Sequence, residues 1–325
     1  MIAARNVSSW RAATALGMTV LCAGAIPAAL HAQSRPDTSF AVARNSIIDI
    51  TVRRGRLVVR GTDRATAELR TNSTTFDLRS SGVSVTLDVT EGMDRRRGRE
   101  SGRRRDNGDE PDIELTVPRA TRLMVHGQSA DVSVSDVGGD IEVHLLSGDI
   151  TLESVGGRAI LDALSGDVKV LGGVGDLRVN TVSGDVDARG IRGTIDVSTT
   201  SGEVVLEAER ATRVTVNGVS SDIRFNGALA PDARLSFTTH SGDVVLRLPE
   251  STGGIMDVES FNGEVSGDGM TLLPTGGTGS GGGANRNNRA PRRFEFGGGG
   301  SARITISTFN GDVTVERGGR RRNEQ

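Results

Sequence analysis

The chain has almost nothing from which to build a cross-link or an aromatic surface. It holds one cysteine, one tryptophan and no tyrosine in 325 residues. A single Cys excludes an intramolecular disulfide, so stability has to come from packing alone. Lysine is nearly missing as well. Lys169 stands alone among 39 basic residues, the others being Arg, so any lysine-dependent mechanism has one candidate. Neither sign of charge is in excess. The formal net charge of −2 offers no general attraction for nucleic acid. The remaining aromatics are eight Phe, of which Phe225, Phe237 and Phe309 fall at positions read as inward. No aromatic platform for stacking sugar rings is expected from that pattern. No GxSxG, P-loop or clustered-Cys motif occurs. Beyond the N-terminus no segment carries a helical period.

Residues 1–32 read as a secretory signal. Arg5 and Arg11 precede an apolar stretch from Ala12 to Leu30, and Ala32 is the expected last residue before cleavage. An uncleaved anchor fits less well, because Gly17, Gly24 and Pro27 interrupt a stretch of modest hydrophobicity. A lipid attached at Cys22 is disfavoured by the bulk of Leu21 before it. Cleavage removes the only Cys and the only Trp, and leaves no stable transmembrane anchor.

What the chain does have is a period. The tripeptide Ser-Gly-Asp returns every 18 residues, with its Ser at Ser129, Ser147, Ser165, Ser183 and Ser201, and Ala130 in place of Gly in the first copy. The register then loosens to Ser220, Ser241, Asn262 and Asn310. A short fixed period means that each unit stacks on its neighbours. Aligned at 18 residues, one column holds Val132, Ile150, Val168, Val186 and Val204. A second holds Val134, Leu152, Val170, Ala188 and Leu206, and a third Val143, Leu161, Val179 and Val197. Polar residues alternate with them, the period of a strand with one face inward. Each unit thus carries two short strands and two turns. The fold expected is all-β: a β-solenoid, β-helix-like, with an irregular β part at its N-terminus. Nine coils at about 4.8 Å each would give a rod on the order of 40 Å long.

The expected organisation is a signal (1–32), N-terminal strands (33–125) with an Arg-rich loop (94–110), and solenoid repeats (126–270). A flexible Gly/Arg-rich insertion (271–300), a terminal coil (301–317) and a disordered tail (318–325) follow. The N-terminal strands are read at Ile47–Val52, Arg56–Arg60, Thr66–Arg70, Val83–Val89, Ile113–Val117 and Leu123–Val125.

The repeated turn is the one constellation with chemical potential. It comprises Ser147-Gly148-Asp149, Ser165-Gly166-Asp167, Ser183-Gly184-Asp185 and Ser201-Gly202-Glu203. Three readings compete. In the structural one, Gly supplies positive φ while Ser and Asp bond local backbone groups. In the calcium one, the acid column Asp149, Asp167, Asp185 and Glu203 supplies hard oxygen ligands, as in a β-roll. The third is catalysis of the kind found in polysaccharide-cleaving β-helices. His144 with Ser147 and Asp149, or His240 with Ser241 and Asp243, supplies triad residue types, but the repeat already accounts for the Ser and the Asp. His126, His144 and His240 show no metal-ligand spacing. The structural reading is preferred, with no cofactor.

Two segments resemble a bacterial family of presumed adhesins, a domain of unknown function with head-to-tail SGD-type β repeats. They are Val117-Pro118 through Leu123 with the Ser-Ala-Asp, Gly-Gly-Asp and Ser-Gly-Asp turns that follow, and Arg54 through Asp63. The resemblance spans about residues 46–316. It implies the solenoid fold and brings no set of binding or catalytic residues. The expected function is a non-enzymatic, exported protein of the envelope or cell surface, an adhesin or an envelope scaffold with a protein or glycan partner and no nucleic acid. A carbohydrate-active β-helix enzyme and a calcium-binding module are the alternatives.

Overall fold

A computed structural model of the chain describes residues 37–43, 45–72, 76–80, 84–89, 111–249, 251–268, 273–274, 292–297 and 300–317. The signal, the Arg-rich loop and the tail lie outside these residues. Twenty-two strands, and no helix, form among those described. The N-terminal group is β1 (Asp37–Ala41), β2 (Ile47–Thr62), β3 (Thr66–Thr71), β4 (Phe76–Ser80), β5 (Ser84–Val89) and β6 (Asp112–Pro118). The middle holds β7 (Arg122–Ser135), β8 (Ile141–Ser147), β9 (Ile150–Glu153), β10 (Arg158–Ser165), β11 (Val168–Leu171), β12 (Asp176–Ser183), β13 (Val186–Ser201), β14 (Val204–Ser220), β15 (Ile223–Ser241) and β16 (Val244–Leu248). The C-terminal group is β17 (Gly254–Asn262), β18 (Val265–Asp268), β19 (Leu273–Pro274), β20 (Arg292–Phe296), β21 (Ala302–Asn310) and β22 (Val313–Arg317).

Each coil runs along one sheet, turns at Ser-Gly-Asp, and returns along a second sheet. Pairing is parallel and in step with the sequence period: Ser165 lies over Ser147, Ser183 over Ser165, and Val168 over Ile150. The three apolar columns read from sequence all point inward, from Ile150, Val168 and Val186 to Val143, Leu161 and Val197. A fourth inward column, Val137, Val155, Val174 and Ile191, closes the far edge. Burying such continuous columns stabilises a parallel stack that has no other core, at about 25 cal/mol per Å² of apolar surface.

The solenoid is longer than the repeat suggests. β2 is a full coil in itself, lying in register with β7 from Ile47↔Arg122 to Arg60↔Ser135. On its other side it carries β5 and β6, the two halves of a further coil. Eleven coils stack among the described residues. The irregularity of the N-terminal part is one of order: the coil earliest in sequence is second in space.

The C-terminus mirrors this. The coil at 301–317 is terminal in sequence only. β21 pairs with β15 on one side and β17 on the other, and β22 pairs with β16 and β18. The last coil is therefore slotted between two coils made before it. The insertion expected to be flexible over 271–300 is ordered at both edges. β20 pairs antiparallel with β17 and with β19, and Phe296 is buried. Gly-rich composition hid the apolar Phe294 and Phe296 that anchor it. Antiparallel strands finish the stack at both ends: β4 on β5, β3 on β6, β1 on β3, and β20 on β17. They cover edges that would otherwise template further pairing.

Candidate functional site

The Ser-Gly-Asp turns lie one above another and form one corner of the rod. Gly148, Gly166, Gly184 and Gly202 have φ between 114° and 133°, a region open to Gly alone among common residues. A Cβ at Gly166 would also run into the backbone carbonyl of Gly148 in the coil beneath. The expected hydrogen bonds are made, but their partners are one coil away and not local. Ser147 Oγ donates to the carbonyl of Gln128 (3.2 Å), and Ser165 Oγ to that of Leu146 (3.4 Å). Asp149 Oδ1 accepts from the backbone N–H of Asp167 (2.9 Å), Asp167 from Asp185 (2.9 Å), and Asp185 from Glu203 (2.8 Å). After a break at Glu203, the row resumes from Asp222 to Asp243 (3.0 Å), Asp243 to Asp312 (2.8 Å), and Asp312 to Glu264 (2.8 Å). A bend in the chain thus doubles as a tie between coils. Among the described residues no group of three or more His, Cys, Asp or Glu converges as a metal site. Of this row, Glu203 alone makes an ion pair among the described residues, with Arg224.

The triad types do not converge. His144 sits between Glu142 (Nε2 to Oε1, 2.8 Å) and Asp162 (Nδ1 to Oδ2, 2.9 Å), turned away from Ser147 and Asp149. Its ring stacks on His126 of the adjacent coil, centroids 5.2 Å apart. This pairing of coils was not visible in residue spacing. His240 stacks on Phe309 at 4.9 Å, and Phe309 on Phe261 at 4.7 Å. Phe309 therefore points outward, against the inward position expected for it, while Phe225 and Phe237 are buried as expected. The Asn that replaces Ser after Phe309 and Phe261 obscured their place in the repeat.

That placement exposes the main feature of the surface. The position just before the repeat Ser runs, in spatial order, Gln128, Leu146, Leu164, Val182, Thr200, Val219, His240, Phe309 and Phe261. Among the described residues, all six large hydrophobic side chains that are strongly exposed fall in this one column, 42% to 56% accessible. Scattered exposed apolar residues are normal, but a contiguous file of them marks an interaction surface. Two shallow grooves flank it on the same sheet. One, of about 510 Å³, is lined by His126, His144, Leu146, Asp162, Leu164 and Val182. The other, of about 400 Å³, is lined by Thr238, His240, Glu259, Phe261, Arg292 and Phe309. Beside the second groove, Arg293 is held above its ordinary value by its hydrogen bond and charge pairing with Asp257, which fixes β20 there without altering a charge that Arg keeps at all relevant pH. The acid row borders the stripe on the other side of the turn. Alternation from buried Leu145 to Leu146, or from Ala163 to Leu164, was the sequence signal for the stripe; it is legible only once the neighbouring coils are aligned.

A stack of two-strand coils with this turn, capped at both ends, matches the Toastrack (DUF4097) family model over residues 45–316. The chain belongs to the Toastrack family. Two solved structures bear it a weaker likeness. A candidate adhesin from Bacteroides fragilis is 16% identical, with a TM-score of 0.45 over 65% of this chain and 95% of that one. A candidate cell adhesion protein from Clostridium sporogenes is 11% identical, with a TM-score of 0.21 over 86% of this chain and 98% of that one. Among curated proteins none is significantly similar to this Toastrack chain.

Proposed function

We propose that this Toastrack protein is an exported, non-enzymatic component of the bacterial envelope or cell surface, acting as an adhesin or scaffold through the outer face of its first sheet. The observation that carries the reading is the single file of exposed apolar side chains along the rod. A docking surface is long, shallow and repeated, as this one is. An active site concentrates unlike groups at one point, and here the Ser and Asp of every turn are spent on tying coils together. The N-terminal Arg residues and the apolar stretch ending at Ala32 support export.

Envelope fractionation with mass spectrometry of the native N-terminus tests export. The expected product begins within a few residues of Gln33 and absorbs almost nothing at 280 nm, because Trp10 leaves with the signal and Tyr is absent. An intact Met1 terminus in the cytosol would sink it. The docking face is tested by binding to isolated envelopes. Wild type should sediment with them, and a variant carrying Leu164→Ser and Val182→Ser should not.

A further inference from the structure

The stripe has two unlike borders, and they select its occupant. On the sheet side lie polar, mostly neutral groups such as Asn180, Asn217 and Thr238. On the turn side runs the row of nine acids, eight of them exposed and one already engaged by Arg224. One oxygen of each bonded Asp is occupied by the next coil's N–H, as at Asp149 and Asp167. The second oxygen remains to face solvent or a partner. Carboxylates about 4.8 Å apart repel one another, and cations brought alongside relieve that repulsion. An apolar file beside a fixed anionic row is the complement of an apolar face bordered by Lys and Arg.

We infer that this face docks a cationic amphipathic segment of a partner protein, lying along the rod with its apolar side chains on the stripe and its basic side chains over the acid row. Spacing favours a helical segment. Coils recur at about 4.8 Å, close to the 5.4 Å pitch of an α-helix, whereas same-face residues of a strand recur at about 6.8 Å. Charge argues against the other occupants. Nucleic acid and anionic lipid would meet the acid row with like charge. A second copy packed antiparallel would set its own acid row against this one. A neutral glycan would leave the row uncompensated, and the rings of His240 and Phe309 already cover one another face to face.

The inference rests on reading this face as a docking surface. Its probes are two synthetic amphipathic peptides of about seven helical turns, with one Leu-rich face, differing in whether the border is Arg or Glu. Anisotropy titration of the fluorescent peptides against the purified mature chain should show the Arg peptide binding at least about tenfold more tightly, a gap that narrows as salt rises. Leu164→Ser with Val182→Ser should weaken the Arg peptide about tenfold or more. Asp167→Asn with Asp185→Asn should weaken it several-fold and flatten its salt dependence. Both variants keep the inward columns and the bonded oxygen, so their melting curves should match wild type. Equal binding of the two peptides, or none by the Arg peptide at about 100 µM, overturns the inference. So does dimerisation of wild type in sedimentation that the stripe variant abolishes, or binding of a neutral oligosaccharide that the stripe variant loses. If the stripe variant loses envelope binding while the Arg peptide fails to bind wild type, the docking face stands and the cationic occupant falls. If envelope binding survives the stripe variant, the docking face itself falls.

Discussion

Asp167 has one oxygen on the N–H of Asp185 and a neighbour of like charge in each adjoining coil. Asp167→Asn keeps the acceptor and removes the repulsion, so a thermal melt should move little, within about 0.5 kcal/mol. Asp167→Ala removes the acceptor and should cost about 1 kcal/mol. Gly166→Val should be the worst of the three, at about 3 kcal/mol or more, because it forces a β-branched residue into positive φ and a Cβ onto the carbonyl below. If the row is a tie between coils rather than a calcium site, EDTA and millimolar calcium leave the wild-type melt in place. A rise of many degrees with calcium, lost in Asp167→Asn, would favour the metal. At this scale the sequence showed which residues recur and why Gly is needed. It did not show where their hydrogen bonds go, because a partner 18 residues away looks the same in a linear pattern as a local one.

Strand faces were legible wherever alternation persisted for a whole unit. Val168 is buried under Val186 and over Ile150, while Lys169 lies exposed over Thr151. Val168→Asp buries an unpaired charge and should cost several kcal/mol. Lys169→Thr copies the residue beneath it and should stay within about 0.5 kcal/mol. Urea titration of both variants checks the register, and equal effects would refute it. The strands read from Ile47 to Val125 all form, within a few residues. β1 and β4 escaped notice because each is five residues long, pairs on one side, and offers too few apolar positions to show a period. β20 escaped for a different reason: two Phe amid Gly and Arg read as loop until β17 lies beside them.

Spatial order is the property least legible in the chain, since parallel pairing carries no mark of which coil arrives when. β21 and β22 fill a slot between β15–β16 and β17–β18. Ending the chain at Gly300 should therefore do more than shorten the rod by one coil. It should detach β17, β18 and β20 from the stack, and limited proteolysis with hydrogen exchange should find residues 254–296 unprotected while β8 to β13 remain protected. Protection of β17 in the truncated chain would mean that the outer coil docks directly on β15. Both ends of the molecule are built this way, with an early or late coil wedged behind its neighbour. Only from β7 to β15 do chain order and spatial order coincide. The number of coils can therefore change by copying or losing 18-residue units in that stretch alone, as with residues 165–182, while each end must be inherited whole. Rods of different length would then share the same two termini and differ in how many rungs of stripe and carboxylate they present.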